Sequence, residues 1–226
     1  MIDVRCRGAV LIGLILIAAC STDPEVSADA ALHPGVLFTG FDDGSADYKV
    51  PATLANVGDG TTVKWTVADP SLATVETEQP APGAKASASL THHAIVTTKK
   101  SGKTKLRATA DGKTFEIPLT ITQYAPGARD LGNDLYQENR TGMTTGESGT
   151  KALGCIGCHG ARGTARHSPS EIGGFDDDQI LKTIATAVKP DGSLANGGVH
   201  KFVLEKNEQE AILARLRSLE PVDFPK

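Results

Sequence analysis

Methionine is nearly absent from this sequence, which after Met1 has only Met143. Aromatic side chains are scarce as well, at 4% of 226 residues with a single tryptophan, Trp65. Any core must therefore be aliphatic with few large rings, and Met143 is the one internal thioether available to a metal. Cysteine is limited to Cys6, Cys20, Cys155 and Cys158, which excludes a disulfide-dense secreted scaffold. Neither charge sign dominates: 23 basic and 27 acidic residues leave a formal charge of -4, a balance that gives no reason to expect a nucleic-acid partner. The apolar run from Ala9 to Ala19 falls well short of the ~20 residues that span a bilayer.

That run reads as a targeting signal. Arg5 and Arg7 precede it and small residues close it, the pattern of a secretory signal peptide over residues 1–19. Ile17-Ala18-Ala19-Cys20 resembles the lipobox of bacterial lipoproteins. The resemblance implies cleavage before Cys20, lipidation of its thiol and a place on the periplasmic side of the cell envelope. Ser21, rather than an aspartate, then implies sorting to the outer membrane. The alternative is a plain secretory signal with an incidental cysteine. Residues 20–34 are small, acidic and punctuated by proline, the composition of a flexible tether.

Residues 35–123 carry strand periodicity. Val63, Trp65 and Val67 alternate with Lys64 and Thr66, placing the indole on one buried face. Leu106, Ala108 and Ala110 alternate likewise, Asp111-Gly112 supplies a two-residue turn, and Phe115, Ile117, Leu119 and Ile121 return as a hairpin. Shorter runs lie near Leu37, Thr53, Thr74 and Ile95. The order Val63 to Pro70, Ala73-Thr74-Val75 and Lys100 to Leu106 resembles the bacterial immunoglobulin-like domains, which implies an antiparallel sandwich. His92 and His93 are neighbours on a strand and point to opposite faces, so they make no metal grip, and His33 sits in the tether.

Cys155-Ile156-Gly157-Cys158-His159 has the spacing of a c-type haem attachment site. Two thiols one short turn apart reach the porphyrin vinyl groups while the adjoining imidazole meets the iron. A zinc site would need a second ligand pair, and a redox dithiol would be expected on a thioredoxin-like unit. Helical spacing surrounds the motif. A helix is expected over about 127–138, a second begins at Asp176 to Asp178 and carries Ile180, Leu181 and Ile184, and a third starts at Asn207-Glu208-Gln209-Glu210 and ends at Pro221.

With Gly132-Asn133-Asp134-Leu135-Tyr136, the haem motif followed by Gly160, and Leu213 to Leu219, residues 125–226 resemble the class I c-type cytochromes. The fold class expected is thus an all-β immunoglobulin-like sandwich followed by an all-α cytochrome c domain. The resemblance implies one covalent haem c, with Cys155 and Cys158 as thioether anchors, His159 as proximal iron ligand, and Gly132 letting the terminal helices cross closely. The family takes its distal methionine from the loop before the last helix, and this chain has none there. His200, in Gly197-Gly198-Val199-His200, is the distal ligand expected instead; Met143, His167 and an open sixth position are the alternatives.

The function these features imply is a membrane-tethered monohaem cytochrome of low potential, carrying single electrons between redox partner proteins of the envelope. No nucleophile and base set indicates an enzyme. A peroxidase-like haem enzyme or redox subunit with a displaceable distal site is one alternative. A haem sensor or adhesive surface lipoprotein is the other. Nothing in the sequence specifies an oligomeric state.

Overall fold

The computed structural model describes residues 26–43, 46–58, 60–77, 92–137, 155, 167–195 and 202–225. Eight strands come first: β1 Ala31–His33, β2 Leu37–Phe41, β3 Lys49–Ala55, β4 Val63–Val67, β5 Ala73–Thr77, β6 His93–Thr98, β7 Gly102–Ala110 and β8 Lys113–Gln123. Four helices follow among the described residues: α1 Ala128–Gln137, α2 Pro169–Ile172, α3 Asp177–Thr186 and α4 Lys206–Arg217.

The strands form two four-stranded sheets, β1-β3-β6-β5 and β2-β8-β7-β4. Every pairing is antiparallel except β2 with β8, which run parallel from Leu37↔Leu119 to Phe41↔Gln123. This is the strand order of an immunoglobulin sandwich with its first strand split between the sheets. The expected hairpin is present: β7 and β8 pair from Gly102↔Ile121 to Ala110↔Lys113, closed by Asp111 at φ 47° and Gly112 at φ 75°. Positive φ at both turn residues matches the right-handed twist of the flanking strands, and glycine adopts it without strain.

Alternation sends Trp65, Leu106, Ala108, Ala110, Ile117, Leu119 and Ile121 into one core with Val50, Ala52, Leu54, Ala94 and Val96 of the facing sheet. Burial of each large side chain contributes about 1.5–3 kcal/mol, and no disulfide is needed between the sheets. The described sandwich includes residues before the expected boundary at residue 35. Val26 is only 2% exposed within the core and β1 includes His33, so much of the expected tether is part of the fold.

The expectation of a separate all-α cytochrome c domain is not met. The fold is β-rich with four short helices among the described residues, and those helices pack on Tyr48 and Tyr124 at the ends of β3 and β8. Tyr48 and Tyr124, which flank β3 and β8, are buried in one cluster with Ala128, Tyr136, Ile180, Ile212, Leu213 and Leu216. The physical reason is that one end of the sandwich offers an apolar surface on which the helices bury their faces. Gly40 leaves the room: a Cβ there would come 2.7 Å from the Tyr48 ring and would run into that of Tyr124. Backbone joins the two parts as well, since Phe38 N donates to Gly173 O at 2.8 Å.

Helix ends follow local chemistry. Asp176 caps α3 through a reciprocal box with Gln179. The cap of α4 is Glu205, paired with Glu208, two residues before the Asn207 expected. α1 crosses α4 at Gly132, where a Cβ would strike the Ala211 carbonyl and stand 2.9 Å from Arg215 Cβ.

Candidate functional site

Two places on the molecule carry chemistry, and Arg217 fixes the first relative to the second. Arg217 lies on the apolar stripe of α4, one turn beyond Leu213, and is 1% exposed. Its Nε and Nη2 reach Asp177 Oδ1 at 3.2 and 2.9 Å, Nη1 donates to Phe38 O at 3.1 Å and Ile172 O at 3.0 Å, and Nη2 donates to Phe175 O. Burying a guanidinium is tolerated only with this degree of satisfaction. Tyr124 Oη donates to the other oxygen, Asp177 Oδ2, at 3.0 Å, and burial pushes that phenol up from its usual value. One charged pair thus ties β2, α3 and α4 together.

The first place surrounds Cys155. Of the sequence-predicted residues, Cys155 is half-buried and packs on the helical core together with Leu181, Ile184 and Leu204. Cys20, Met143, Cys158, His159 and His200 lie outside the described residues. Tyr136 on α1 is buried beside this thiol; burial, then the neighbouring Cys155, pushes its phenol up to about 12, against the pull of Arg215. The Arg215 guanidinium stands 5.7 Å from the centre of the Tyr136 ring.

His167 is positioned by the same tyrosine. Its Nδ1 lies 3.3 Å from Tyr136 Oη, and the rings meet edge to face at 72°. A cavity of about 330 Å³ opens between α3 and the segment leading into α4, lined by Leu181, Ile184, Ala185, Phe202 and Leu204 together with the polar Lys182, Thr186 and Gln209. A mostly apolar cleft of this kind suits a flat, mostly apolar group. Among the described residues no group of three or more His, Cys, Asp and Glu gathers to hold a metal ion.

The second place is the outer face of the β2-β8-β7-β4 sheet. Residues alternate with the core, so Lys103, Lys105 and Arg107 of β7 point outward, as do Lys64 and Thr66 of β4 and Thr114, Glu116 and Pro118 of β8, all exposed. Glu116 sits directly across from Arg107 and pairs with it and, at 2.8 Å, with Lys105. Those two bonds, Lys105 first, hold its carboxyl below the usual range. The opposite sheet differs. On its outer side Pro51 and Thr53 are buried, and Phe224 stacks on His93 with ring centres 4.5 Å apart.

His93 also meets Thr53 Oγ1 at 3.0 Å, while the buried His92 puts Nε2 3.1 Å from Thr61 O. The two adjacent histidines therefore serve separate structural contacts, as their strand geometry implies. Sequence reasoning missed Arg217. Its one signal was placement four residues after Leu213 on an otherwise apolar face.

No family model matches the chain, and no curated protein matches it. Solved structures do, over less than half of it. Domains 4 and 5 of the S-layer protein SbsC match at 15% identity and a TM-score of 0.30, covering 44% of this chain and 54% of that one. The M1 domain from titin matches at 12% identity and 0.28, covering 42% and 93%. The Yersinia pseudotuberculosis adhesin InvE matches at 22% identity and 0.23, covering 42% and 26%. The match spans about half the length of the S-layer chain, and scores this low decide neither fold nor function.

Class I cytochrome membership, with the electron-transfer function drawn from it, required an all-α domain over 125–226. The described helices instead complete a β-rich unit, pinned to β2 by Arg217 and sharing a core with Tyr48 and Tyr124. No cluster of metal-ligating side chains forms among the described residues.

Proposed function

We propose that this chain is a lipid-anchored cell-envelope protein of the adhesive or docking kind, whose sandwich presents one face to a partner. The contrast between its sheets carries the reading. One outer face is packed under Phe224, whereas the other presents exposed Lys64, Lys103, Lys105, Arg107 and Glu116 on a rigid, paired surface. Attachment is assigned to a lipid on Cys20, with the outer membrane as destination.

Haem c remains a proposal of its own, separate from electron carriage. Cys155 and Cys158 would hold it covalently, with His159 as proximal ligand and His200, or alternatively Met143, as distal ligand. Bound there, the group would supply an iron centre able to change oxidation state. Cys155 packs on the helical core that Leu181, Ile184 and Leu204 also border, and Arg217 joins α4 to β2, so a group held at Cys155 would lie on the helical side of the docking domain.

The reading is tested by producing the full chain in a bacterium with two membranes. Fractionation, fatty-acid labelling and attachment of the cells to isolated envelope material are then measured. The expected result is a labelled, membrane-bound chain that raises attachment, with label and attachment both lost in Cys20→Ala. A soluble, unlabelled chain, or cells that attach no better than the host, would refute it. A haemochrome assay on the same protein reads the cofactor separately: a covalent haem band absent from Cys155→Ala/Cys158→Ala is expected, and no band in the unaltered chain would remove the cofactor.

A further inference from the structure

We infer that the outer face of β4-β7-β8 is a binding surface for a linear anionic polysaccharide. Four cations, Lys64, Lys103, Lys105 and Arg107, stand on this face against the single carboxylate of Glu116, a local net charge of +3 on a chain whose total is -4. They are ordered. Lys103, Lys105 and Arg107 occupy alternate positions of one central strand, so their stems leave the sheet about 6.8 Å apart in a straight row.

Glu116 pairs with Lys105 and Arg107 on this face and is the carboxylate with which an incoming anion competes. The row is flanked by hydroxyls. Thr120 lies opposite Lys103 and Thr109 opposite Lys64, while Thr66 and Thr114 extend the face on either side. A row of cations flanked by hydroxyl donors suits a sugar polymer bearing one negative charge per repeat.

Two further observations favour a polymer over a lipid surface. Among the described residues the large exposed apolar side chains, Leu194, Val203 and Val222, lie on the helical and C-terminal segments, so none of them gives this face an apolar anchor to insert among acyl chains. The described sandwich is also close in sequence to the expected lipid. Val26 is buried and its carbonyl accepts from Lys113 Nζ at 3.1 Å, leaving residues 21–25 between Cys20 and the sandwich. Five or six residues reach at most about 20 Å, so the polymer within range is one of the envelope itself.

This inference rests on the docking reading and names the partner of its face. The test uses the mature chain from residue 20 carrying Cys20→Ala, with polygalacturonate as polyanion, dextran as neutral control, and phosphatidylglycerol vesicles as the lipid arm. Calorimetry should show binding to polygalacturonate that weakens steeply with salt, and none to dextran. Lys103→Gln/Lys105→Gln should weaken it by about tenfold or more with unchanged thermal unfolding, and Glu116→Gln should strengthen it. Polygalacturonate affinity unmoved by the double change, or binding to vesicles in its absence, would overturn the assignment. Because the lipid thiol is absent from this protein, failure here is distinct from failure of membrane anchoring.

Discussion

Arg217 Nη2 stands 2.9 Å from Asp177 Oδ1, with the arginine 1% exposed and the aspartate 22%. This pair is the point at which the sandwich and the helices become one structure, because the same guanidinium also binds the carbonyl of Phe38 on β2.

Arg217→Ala removes that junction and strands a carboxylate and three carbonyls. The expected loss is about 3 kcal/mol in urea unfolding, the magnitude for breaking a buried pair from one side. A change under about 0.5 kcal/mol, as for an ordinary surface position, would contradict the role given to it.

Gly132→Ala tests the crossing of α1 and α4. Its Cβ would meet the Ala211 backbone, which has no rotamer to yield, so the helices must separate. A loss of about 2 kcal/mol is expected, against the small gain that alanine normally brings to a helix interior. The readout is the denaturation midpoint together with helical circular dichroism.

Much of the sandwich was legible because its strands alternate: Trp65, Leu106 and Ile117 face inward just where period two places them. β1 was not, since three residues, Ala31-Leu32-His33, beside a proline carry no period. The helices were legible one by one through Asp176 and the Leu213 to Leu219 stripe. Their docking was not. It depends on Tyr48, Tyr124 and Arg217, and the Arg217 bond to Phe38 joins positions 179 residues apart. A haem motif read beside helical spacing led to an independent cytochrome domain, because nothing local in the sequence announces that a helix will bury its face on a sheet end. The basic face lies in the alternation of Lys103, Lys105 and Arg107, opposite in phase to Leu106 and Ala108, but the placing of Glu116 across from Arg107 emerges only from the strand pairing.

Alkaline titration gives a third prediction. All three tyrosines, Tyr48, Tyr124 and Tyr136, are buried, and burial is the first cause that pushes each phenol up, Tyr136 to about 12. The folded state holds these protons more tightly than the unfolded chain. The associated stability is therefore fully present below about pH 10 and lost as pH rises towards the folded values. Phenolate absorbance of the native protein should show no step near pH 10, whereas the urea-unfolded chain should titrate there. A native step at the ordinary value would place a tyrosine in solvent.

The central claim is that sandwich and helices form one cooperative unit, and equilibrium unfolding tests it most directly. Trp65 fluorescence follows the sandwich alone, and far-ultraviolet circular dichroism is dominated by α1, α3 and α4. In urea the two signals should fall together with one midpoint, and Arg217→Ala should move both by the same amount. Two separated transitions, with Trp65 indifferent to Arg217→Ala, would contradict the account and restore an independent helical domain.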